Sequence, residues 1–328
     1  MICHINLAKS FRGGERQTSL LINELDIEQC LIIRKGSPLK NYIKNNVKII
    51  EITKPFIFHI FKLKHCSLIH AHEAKAAQLS FFAHIILKKP YIITRRVCFP
   101  IKQNFFTQAI YKKASAIIAI SQAVKQKIAQ DTGINSSYVI PSAITPDTTT
   151  NNLTALKNRF KDNFIVLNIA ALNDKDKGQL DIIEAAKELS DITFLLVGKG
   201  KDEKILKKIA PSNVIFEGFK KNIYDYLEIA DIFLFPSRRE GLGSILLDAM
   251  KAKKPIITRA VGGIPELLDE NSAIFINSPN DIKKAILTLK NNKKLRDTLA
   301  LNTFEKSKKF DIKHLAPKIL NIYENVLK

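Results

Sequence analysis

The residues best able to do chemistry stand in one string of the second half of the chain, PSRREGLGSILLDAMKAKKPIITRAVGGIPELL, residues 236–268. An apolar run ends at Pro236, and Glu240 precedes two glycines and a helical pattern that begins near Ser244. Glycines let a ligand approach the backbone closely, and the unpaired amides at a helix start bind anions. Asp248 lies one turn after Ser244. The string therefore predicts a phosphate-binding helix end flanked by two carboxylates, which suit sugar hydroxyls.

Two sets of predicted strands must position these residues. Short apolar runs alternate with helical patterns, such as Glu15–Leu25, Glu73–Leu87 and the stretch from Gln179. The runs of the first half are ICHINL, CLIIR, VKII, SLIH, YIIT, AIIAIS and YVIP, and those of the second are FIVLNIAAL, ITFLLVG, VIF, IFLFPS, PIITR and AIFIN. Apolar strands separated by helices predict parallel α/β sheets covered on both faces. The pattern occurs twice.

A polar stretch near the middle of the chain separates the two copies. PSAITPDTTTNNLT contains two prolines and a threonine run, which is typical of an interdomain linker. We therefore predict one Rossmann-like domain over residues 1–147 and a second over residues 148–313. Ligands of open α/β sheets bind outside the carboxyl ends of the strands, so two such sheets facing a central cleft would form the site.

The composition excludes several classes of protein. With 328 residues, 46% of them hydrophobic and 25% charged, the chain is globular and long enough for two domains. No apolar run reaches the roughly 20 residues of a membrane span, and no secretory signal is visible. The cysteines Cys3, Cys30, Cys66 and Cys98 are scattered. This spacing predicts neither a disulfide framework nor a zinc site, and it fits the cytoplasm.

The net charge is +21 and is concentrated in the first half. Residues 1–150 contain 21 Lys and Arg against 8 Asp and Glu, and the rest of the chain contains 31 against 23. Two explanations remain open: a composition rich in Lys, Ile and Asn, or an acidic partner such as an anionic membrane or a phosphorylated acceptor. Because no nucleic-acid-binding motif accompanies the charge, we expect no nucleic acid as a partner.

The string described first resembles glycosyltransferase family four, a retaining family with the GT-B fold. Glu240 and Asp248 keep the seven-residue spacing of the family's two acids. Downstream, Pro255–Thr258 and Gly262–Glu266 match its P-x-I-x-T and G-G-x-x-E segments. The resemblance implies an acceptor domain followed by a nucleotide-sugar domain, with a last helix, residues 314–328, that folds back on the first domain.

The resemblance also assigns site residues. It implies that Glu240, a predicted catalytic residue, contacts the donor sugar and that Asp248, one methylene shorter than the usual Glu, contacts the ribose. A lysine at the position of Lys177 binds phosphate, and the segment around Phe219 meets the base. The donor-binding residues implied in this way are Gly13, Gly14, Lys177, Phe219, Glu240, Gly241, Leu242, Gly243, Ser244 and Asp248.

Two departures from the family pattern concern positive charge. The arginine that usually precedes the phosphate-binding lysine is absent, because the place reads Ala170-Ala171, so Lys177 acts alone or with Lys175 or a distant arginine. Where many relatives have a histidine after the strand PYIIT, this chain has Arg95 and Arg96. Arginine stays protonated, so it is no base, but it can neutralise a leaving diphosphate. We predict a catalytic role for both arginines; the alternative is surface charge.

Two further groups could suggest a metal. His70 and His72, at the end of the run SLIH, resemble the family's acceptor-side stretch, and either an acceptor contact or a structural role is open. Asp174 and Asp176 imitate a metal-binding Asp-x-Asp motif, but we interpret them as a solvated loop. We therefore expect no metal and no cofactor, since the nucleotide-sugar is a substrate.

The segment KPFIFHIFKLK, residues 54–64, interleaves large apolar side chains with lysines. A short basic, aromatic helix can lie on an anionic membrane surface, and it can equally pack against the sheet. Both alternatives remain open at this point.

The interpretation is a retaining, metal-independent glycosyltransferase. It would move a sugar from a nucleotide-sugar to a cell-surface glycan or lipid-linked acceptor, in lipopolysaccharide or polysaccharide biosynthesis, in the cytoplasm or peripherally on the inner face of the membrane. The alternatives are a sugar-nucleotide epimerase of the same architecture and a non-catalytic, membrane-associated binder.

Overall fold

The chain forms two compact units. The computed structural model describes three stretches, residues 1–44, 46–145 and 152–328. Unit 1 consists of Met1–Ala143 together with Phe310–Lys328, and unit 2 consists of Ile144–Lys309. The predicted boundary between residues 147 and 148 lies outside the described residues. The chain returns to unit 1 at Phe310, a few residues before the predicted start of the last helix at residue 314.

Unit 1 is built on a seven-stranded parallel sheet of order β3-β2-β1-β4-β5-β6-β7. Its strands are β1 (Ile2–Asn6), β2 (Gln29–Arg34), β3 (Lys48–Ile52), β4 (Leu68–Ala71), β5 (Tyr91–Arg95), β6 (Ala116–Ala119) and β7 (Tyr138–Val139). The central strands β1 and β4 are buried throughout, as expected of parallel strands covered on both faces.

Unit 2 is built on a six-stranded parallel sheet of order β10-β9-β8-β11-β12-β13. Its strands are β8 (Ile165–Ile169), β9 (Thr193–Val197), β10 (Val214–Gly218), β11 (Ile232–Phe235), β12 (Ile256–Thr258) and β13 (Ala273–Phe275). The strand order reverses beside β8, and such a switch point is where open α/β sheets bind ligands.

Helices connect the strands of both sheets. They are α1 (Gly13–Glu24), α2 (Ala74–Leu87), α3 (Phe105–Lys112), α4 (Gln122–Thr132), α5 (Asn152–Arg159), α6 (Asp174–Lys177), α7 (Gln179–Lys187), α8 (Glu203–Ile209), α9 (Tyr224–Ile229), α10 (Ser244–Lys251), α11 (Pro279–Asn291), α12 (Lys293–Ser307) and α13 (Ile312–Leu327). Short 3-10 segments include Phe56–Leu63 and Ile264–Glu266. Polar caps fix several helix starts; Glu73, for example, accepts hydrogen bonds from two amides of α2.

The apolar faces of these elements form separate cores in the two units. In unit 2, Phe194 and Leu234 of the sheet pack with Ile182 of α7 and Ile286 of α11. In unit 1, Tyr323 of α13 belongs to the core beneath the sheet. The predicted architecture of two parallel α/β sheets is confirmed. In the described part of the chain, no helix combines the length and the apolar character that a membrane crossing requires.

Candidate active site

The loop between β11 and α10 carries the predicted carboxylate. Glu240 is largely buried, and α10 begins at Ser244 after Gly243, whose φ of 78° lies in the left-handed region that favours glycine. Gly243, the residue before α10, has no side chain with which to cap the helix. The first amides of this helix can therefore bind an anion, and the predicted phosphate contact stays a prediction.

Two glycines hold neighbouring loops against the Glu240 loop. Gly262, which follows β12, has a φ of 56°, and a Cβ there would lie 1.9 Å from the carbonyl oxygen of Glu240. Gly178, which follows α6, has a φ of 69°, and its Cβ would lie 2.5 Å from the carbonyl oxygen of Pro236. Neither approach is open to a residue with a side chain. The carboxyl edge of the sheet is thus assembled by direct backbone contact.

This assembly brings the predicted phosphate ligand to the predicted sugar ligand. The ammonium group of Lys177 forms an ion pair with the Glu240 carboxylate and lies 5.6 Å from the centroid of the Phe235 ring. Both charged side chains are at least three-quarters buried. The two residues predicted to bind opposite ends of a sugar diphosphate therefore neutralise one another in this structure.

Asp248 is more deeply buried than the sequence indicated. It is 3% exposed, and its Oδ1 accepts hydrogen bonds from the Thr145 amide and the Tyr224 hydroxyl, each at 3.2 Å. The tyrosine hydroxyl also lies 2.9 Å from the Thr145 carbonyl oxygen. The aspartate thus anchors the segment that enters unit 2. Its predicted ribose contact is untested and stays a prediction.

Arginines missed by the sequence reasoning fix the loop that carries Lys177. Arg238 bonds to the Asp174 carbonyl at 3.0 Å and to Asp181 at 2.6 Å, and Arg259 reaches the other oxygen of Asp181 at 2.8 Å. The Asp174 carboxylate also accepts the Leu180 amide. The interpretation of Asp174 as a solvated residue was therefore wrong, because its oxygens are used inside the loop.

Asp176 is held in the same way. Its side chain accepts a hydrogen bond from Asn173 at 2.7 Å, and its carbonyl accepts the backbone amides of Arg238 and Arg239. Both arginines stand directly before Glu240 in the sequence, which was the one signal that could have linked them to the lysine loop.

The remaining predicted donor residues have contrasting environments. Phe219 follows β10 and is 53% exposed, so its ring is open to a ligand. Leu242 is buried and serves as an apolar anchor of the Glu240 loop. Gly241 is also buried, whereas Ser244 is partly exposed at the start of α10.

In unit 1 the predicted glycine pair opens α1. Gly13 and Gly14 form the first turn of this helix, and the Glu15 carboxylate accepts the Arg12 amide at 2.9 Å. A Cβ on Gly14 would meet the side chain of Arg96 at an ordinary 3.6 Å. One of the two predicted catalytic arginines is thus placed beside the glycine pair.

The structure separates the two arginines. Arg95 donates to the Tyr111 hydroxyl at 2.8 Å and to the Phe99 carbonyl, so it holds the loop that follows β5. Burial lowers the pKa of Arg96 to about 10, opposed by the charge of Glu15, so Arg96 stays cationic at neutral pH. The catalytic role of either arginine stays a prediction, and the position of Arg96 suits it better.

His70 and His72 lie inside unit 1. His70 bonds through one ring nitrogen to Tyr323 and through the other to Thr94, each at 2.6 Å, and His72 bonds to His4 at 2.9 Å. Burial lowers the pKa of His70 and of His72 well below the ordinary value. This environment favours the structural alternative over an acceptor contact, which stays a prediction.

The same three histidines are close enough to ligate a metal ion. Both nitrogens of His70 are already bonded, however, and the cationic Arg96 lies near enough to lower the pKa of His70 and His72 further. A divalent cation would have to displace those bonds beside a positive charge. The arrangement therefore suits an uncharged hydrogen-bonded cluster.

Comparison with known proteins shows what this site is similar to. Residues 152–306, which contain Lys177, Glu240 and Asp248, match the family model described as Glycosyl transferases group 1. The chain is 29% identical over 235 residues to the uncharacterized glycosyltransferase MJ1178 of Methanocaldococcus jannaschii, a match that covers 69% of this chain and 64% of that protein.

A second relative is LpsD of Rhizobium meliloti, a lipopolysaccharide core biosynthesis glycosyltransferase. It is 27% identical over 172 residues, which cover 50% of each chain. The chain thus spans less than two thirds of the length of these relatives.

The crystal structure of HepE (Alr3699) from Anabaena in complex with UDP-glucose has a TM-score of 0.88 and 20% identity, and the match covers 99% of each chain. At this identity the likeness concerns the fold. The chain therefore has the GT-B fold, and its residues 152–306 are similar to the family described as Glycosyl transferases group 1.

Proposed function

We propose that this protein transfers a sugar from a nucleotide-sugar to a cell-surface glycan or lipid-linked acceptor, with retention of configuration and without a metal ion or other cofactor. The observation that carries the proposal is the buried Lys177–Glu240 pair beside the uncapped start of α10. LpsD acts in lipopolysaccharide core biosynthesis and HepE binds UDP-glucose, which supports both the acceptor class and the donor class.

The ion pair gives the donor a defined way to bind. A diphosphate carries more negative charge than one carboxylate, so it competes for the Lys177 ammonium and is also attracted by the first amides of α10. Glu240 is then released to accept hydrogen bonds from the sugar hydroxyls. We assign the ribose to Asp248 and the base to the segment at Phe219, as the resemblance implies.

The transfer step needs stabilisation of the leaving group more than a side-chain base. In the retaining mechanism implied by the resemblance, the leaving phosphate itself takes the acceptor proton. We assign to Arg96, beside Gly14, the neutralisation of charge that develops on the diphosphate. Arg95 is assigned a smaller effect, because its guanidinium is held by Tyr111 and Phe99.

We also propose that unit 1 binds an anionic membrane surface. In the segment Phe56–Leu63, Ile60 and Leu63 are buried, whereas Phe58 is 78% exposed and Phe61 is 68% exposed. The segment packs against α2, and the ring of Phe106 joins α2 to α3. We assign to one surface, called the apolar face below, the most exposed apolar residues of these elements, Phe58, Phe61, Ile85, Ile86 and Phe105.

Positive charge adjoins the apolar face. Lys54, Lys62 and Lys64 are exposed next to its two phenylalanines. Apolar side chains bordered by lysines suit the boundary of acyl chains and anionic headgroups. A lipid-linked acceptor would be reached from such a surface, with the protein peripheral on the cytoplasmic side.

The test of the transferase proposal is nucleotide release. The full chain is incubated with UDP-glucose with and without a lipid extract of its source organism, and UDP and the anomeric configuration of the product are measured. We expect release that depends on the extract and a retained configuration. Formation of an altered sugar-nucleotide without extract would favour the epimerase. Thermal unfolding with nucleotide-sugars is measured in parallel, since a ligand at 100 times its Kd adds about 2.7 kcal/mol to the free energy of unfolding. If no nucleotide-sugar stabilises the protein, the donor site is contradicted.

The test of the membrane proposal is vesicle sedimentation. A variant with Phe58→Ser and Phe61→Ser should bind vesicles of anionic lipid at least about tenfold more weakly than wild type, because each buried phenylalanine contributes roughly 1.5–3 kcal/mol. Leu301→Ser, which changes an exposed apolar residue of α12 (54% exposed), is the control. Unchanged sedimentation of the double variant would refute the assignment.

A further inference from the structure

Three of the four cysteines meet inside unit 1, although they are far apart in the sequence. Cys3 lies in β1 and Cys30 lies in β2, where the two are register partners on parallel strands. Cys66 stands in the turn before β4, whose residue Leu68 pairs with Ile2. All three side chains are buried. The spacing of the cysteines along the sequence did not show this cluster, because only the parallel register of the strands brings the three together.

The spacing of the three sulfurs suits a metal ion. Each Sγ lies within 4.8 Å of the other two. A cation bonded to three sulfurs at about 2.3 Å in one plane requires sulfurs about 4 Å apart. Small side-chain movements would therefore close the site around an ion without any change in the strands.

The chemistry of cysteine suits such a site. A thiolate is the form of cysteine that binds metal ions, and a thiol releases its proton to solvent when an ion binds. The three buried thiols can therefore each provide one charged sulfur to a soft cation.

We propose that Cys3, Cys30 and Cys66 form a three-thiolate site for a soft cation, and that Cu(I) is the ion it fits best. Thiolate sulfur selects soft ions such as Cu(I) and zinc over hard ones. Zinc usually takes four ligands, whereas this cluster consists of three sulfurs among the residues that the structure describes. Cu(I) needs no fourth ligand in such a trigonal arrangement.

The position of the site separates it from sugar transfer. Cys3 and Cys66 lie toward the amino ends of β1 and β4, whereas Arg96 follows the carboxyl end of β5. The turn that contains Cys66 reaches the surface, since Lys64, His65 and Ser67 are exposed. An ion could enter by opening of this turn, and once bound it would tie β1, β2 and β4 together.

The experiment is a competition titration of the reduced, full-length protein with Cu(I) under nitrogen, against a chromophoric Cu(I) chelator. We expect one tightly bound Cu(I) per chain in the wild type. Cys66→Ala should weaken binding at least about tenfold, while Cys98→Ala, which changes the partly exposed cysteine outside the cluster, should bind as the wild type does.

X-ray absorption of the wild-type complex provides a measurement that needs no variant. Three sulfur neighbours at about 2.3 Å support the site. Fewer sulfurs, or nitrogen and oxygen neighbours, would overturn it, as would equal Cu(I) affinities for Cys66→Ala and wild type. UDP-glucose binding is measured in parallel, and because no cluster residue belongs to the donor site, loss of Cu(I) should leave it unchanged.

Discussion

Unit 2 and unit 1 hold their candidate functional side chains by different means. In unit 2 the loop of Glu240 is clamped by backbone: side chains at Gly262 or Gly178 would collide with carbonyl oxygens of adjacent loops. In unit 1 the polar groups are held by side-chain hydrogen bonds, such as those of His70 to Tyr323 and to the strand beside it. The first arrangement is vulnerable to an added methyl group, and the second is vulnerable to a change of protonation.

The largest effect expected in unit 2 follows from Glu240→Gln. The amide keeps the shape of the side chain but loses the charge that pairs with Lys177 and that accepts sugar hydroxyls. We expect turnover to fall about hundredfold or more, as when one preorganised polar contact to a transition state is removed. UDP release from UDP-glucose with acceptor is the measurement.

Glu270→Gln is the matched control, because Glu270 is an exposed carboxylate of the same unit. Glu270→Gln should unfold as the wild type does, whereas Glu240→Gln should stay folded with a lower melting temperature, because Lys177 loses its partner. If a folded Glu240→Gln protein keeps turnover within about threefold of wild type, the assignment of the donor site to this loop is contradicted.

The corresponding change in unit 1 is Arg96→Ala, with Arg95→Ala as its internal control. Loss of Arg96 should lower kcat about hundredfold with little change in donor Kd, because the charge it neutralises develops during transfer. Loss of Arg95 should mainly lower the melting temperature, since Tyr111 and Phe99 lose their partner.

Arg96→Lys sharpens this comparison. It should recover only part of the rate, because an ammonium group does not reproduce the two-pronged contact of guanidinium with phosphate. If Arg96→Ala and Arg95→Ala both keep more than about half of the wild-type kcat, neither arginine acts in catalysis.

A pair of glycine substitutions compares the two units directly. Gly262→Ala forces a side chain to within 1.9 Å of the Glu240 carbonyl at a φ of 56°, so we expect a loss of roughly 2 kcal/mol or more in the free energy of unfolding. Gly14→Ala meets only an ordinary contact inside α1, and it should stabilise the fold by about 0.5 kcal/mol.

Urea unfolding of the two proteins without donor provides both values. Equal stabilities would mean that the loops of unit 2 are not held by backbone contact. Donor affinity adds a second distinction, since a methyl group on Gly14 would weaken UDP-glucose binding only if the diphosphate approaches that turn.

The smallest expected effect is a dependence of unit 1 on pH. Burial lowers the pKa of His70 and His72, and His4, Arg96 and Tyr323 are the charged or titratable groups nearest to them. The unfolded chain therefore binds more protons than the folded one below about pH 6.5, and stability falls as the pH drops through that value. Unit 2 contains no histidine.

Hydrogen exchange at about pH 7.5 and about pH 5.5, corrected for the intrinsic rate, separates the units. Protection should decrease in β1 and β4 and stay constant in β8 and β11. His72→Gln should reduce the difference, and the exposed His65→Gln should leave it as it is. Equal losses of protection in both sheets would contradict the role of the buried histidines.

Much of the fold could be predicted from the sequence, because short, continuous apolar runs such as FIVLNIAAL and IFLFPS indicate parallel strands that are buried on both faces. The predicted runs correspond to strands in both sheets. The helix starts were also within reach: α2 begins at Ala74, one residue after the predicted Glu73, because that glutamate is the cap. The pattern did not predict the exact residue, Phe310, at which the chain returns to unit 1.

The site was less accessible to the sequence. The resemblance supplied Lys177 and Glu240 separately, but their pairing depends on Gly178 and Gly262, whose contacts are visible only in three dimensions. The loop arginines and the buried cysteines escaped for the same reason. The partner of a charged side chain or a thiol cannot be predicted from the sequence alone, because the strand order determines which distant loop lies beside it.

The hydrogen bond between Tyr323 and His70 has a consequence for the growing chain on the ribosome. The two residues are 253 positions apart, with all of unit 2 between them. At ordinary rates of synthesis, tens of seconds therefore pass between the synthesis of His70 and that of Tyr323. During that time the first sheet lacks α13 and exposes the apolar surface that this helix will cover. We expect nascent unit 1 to be a client of chaperones, and unit 2 to complete its own core first.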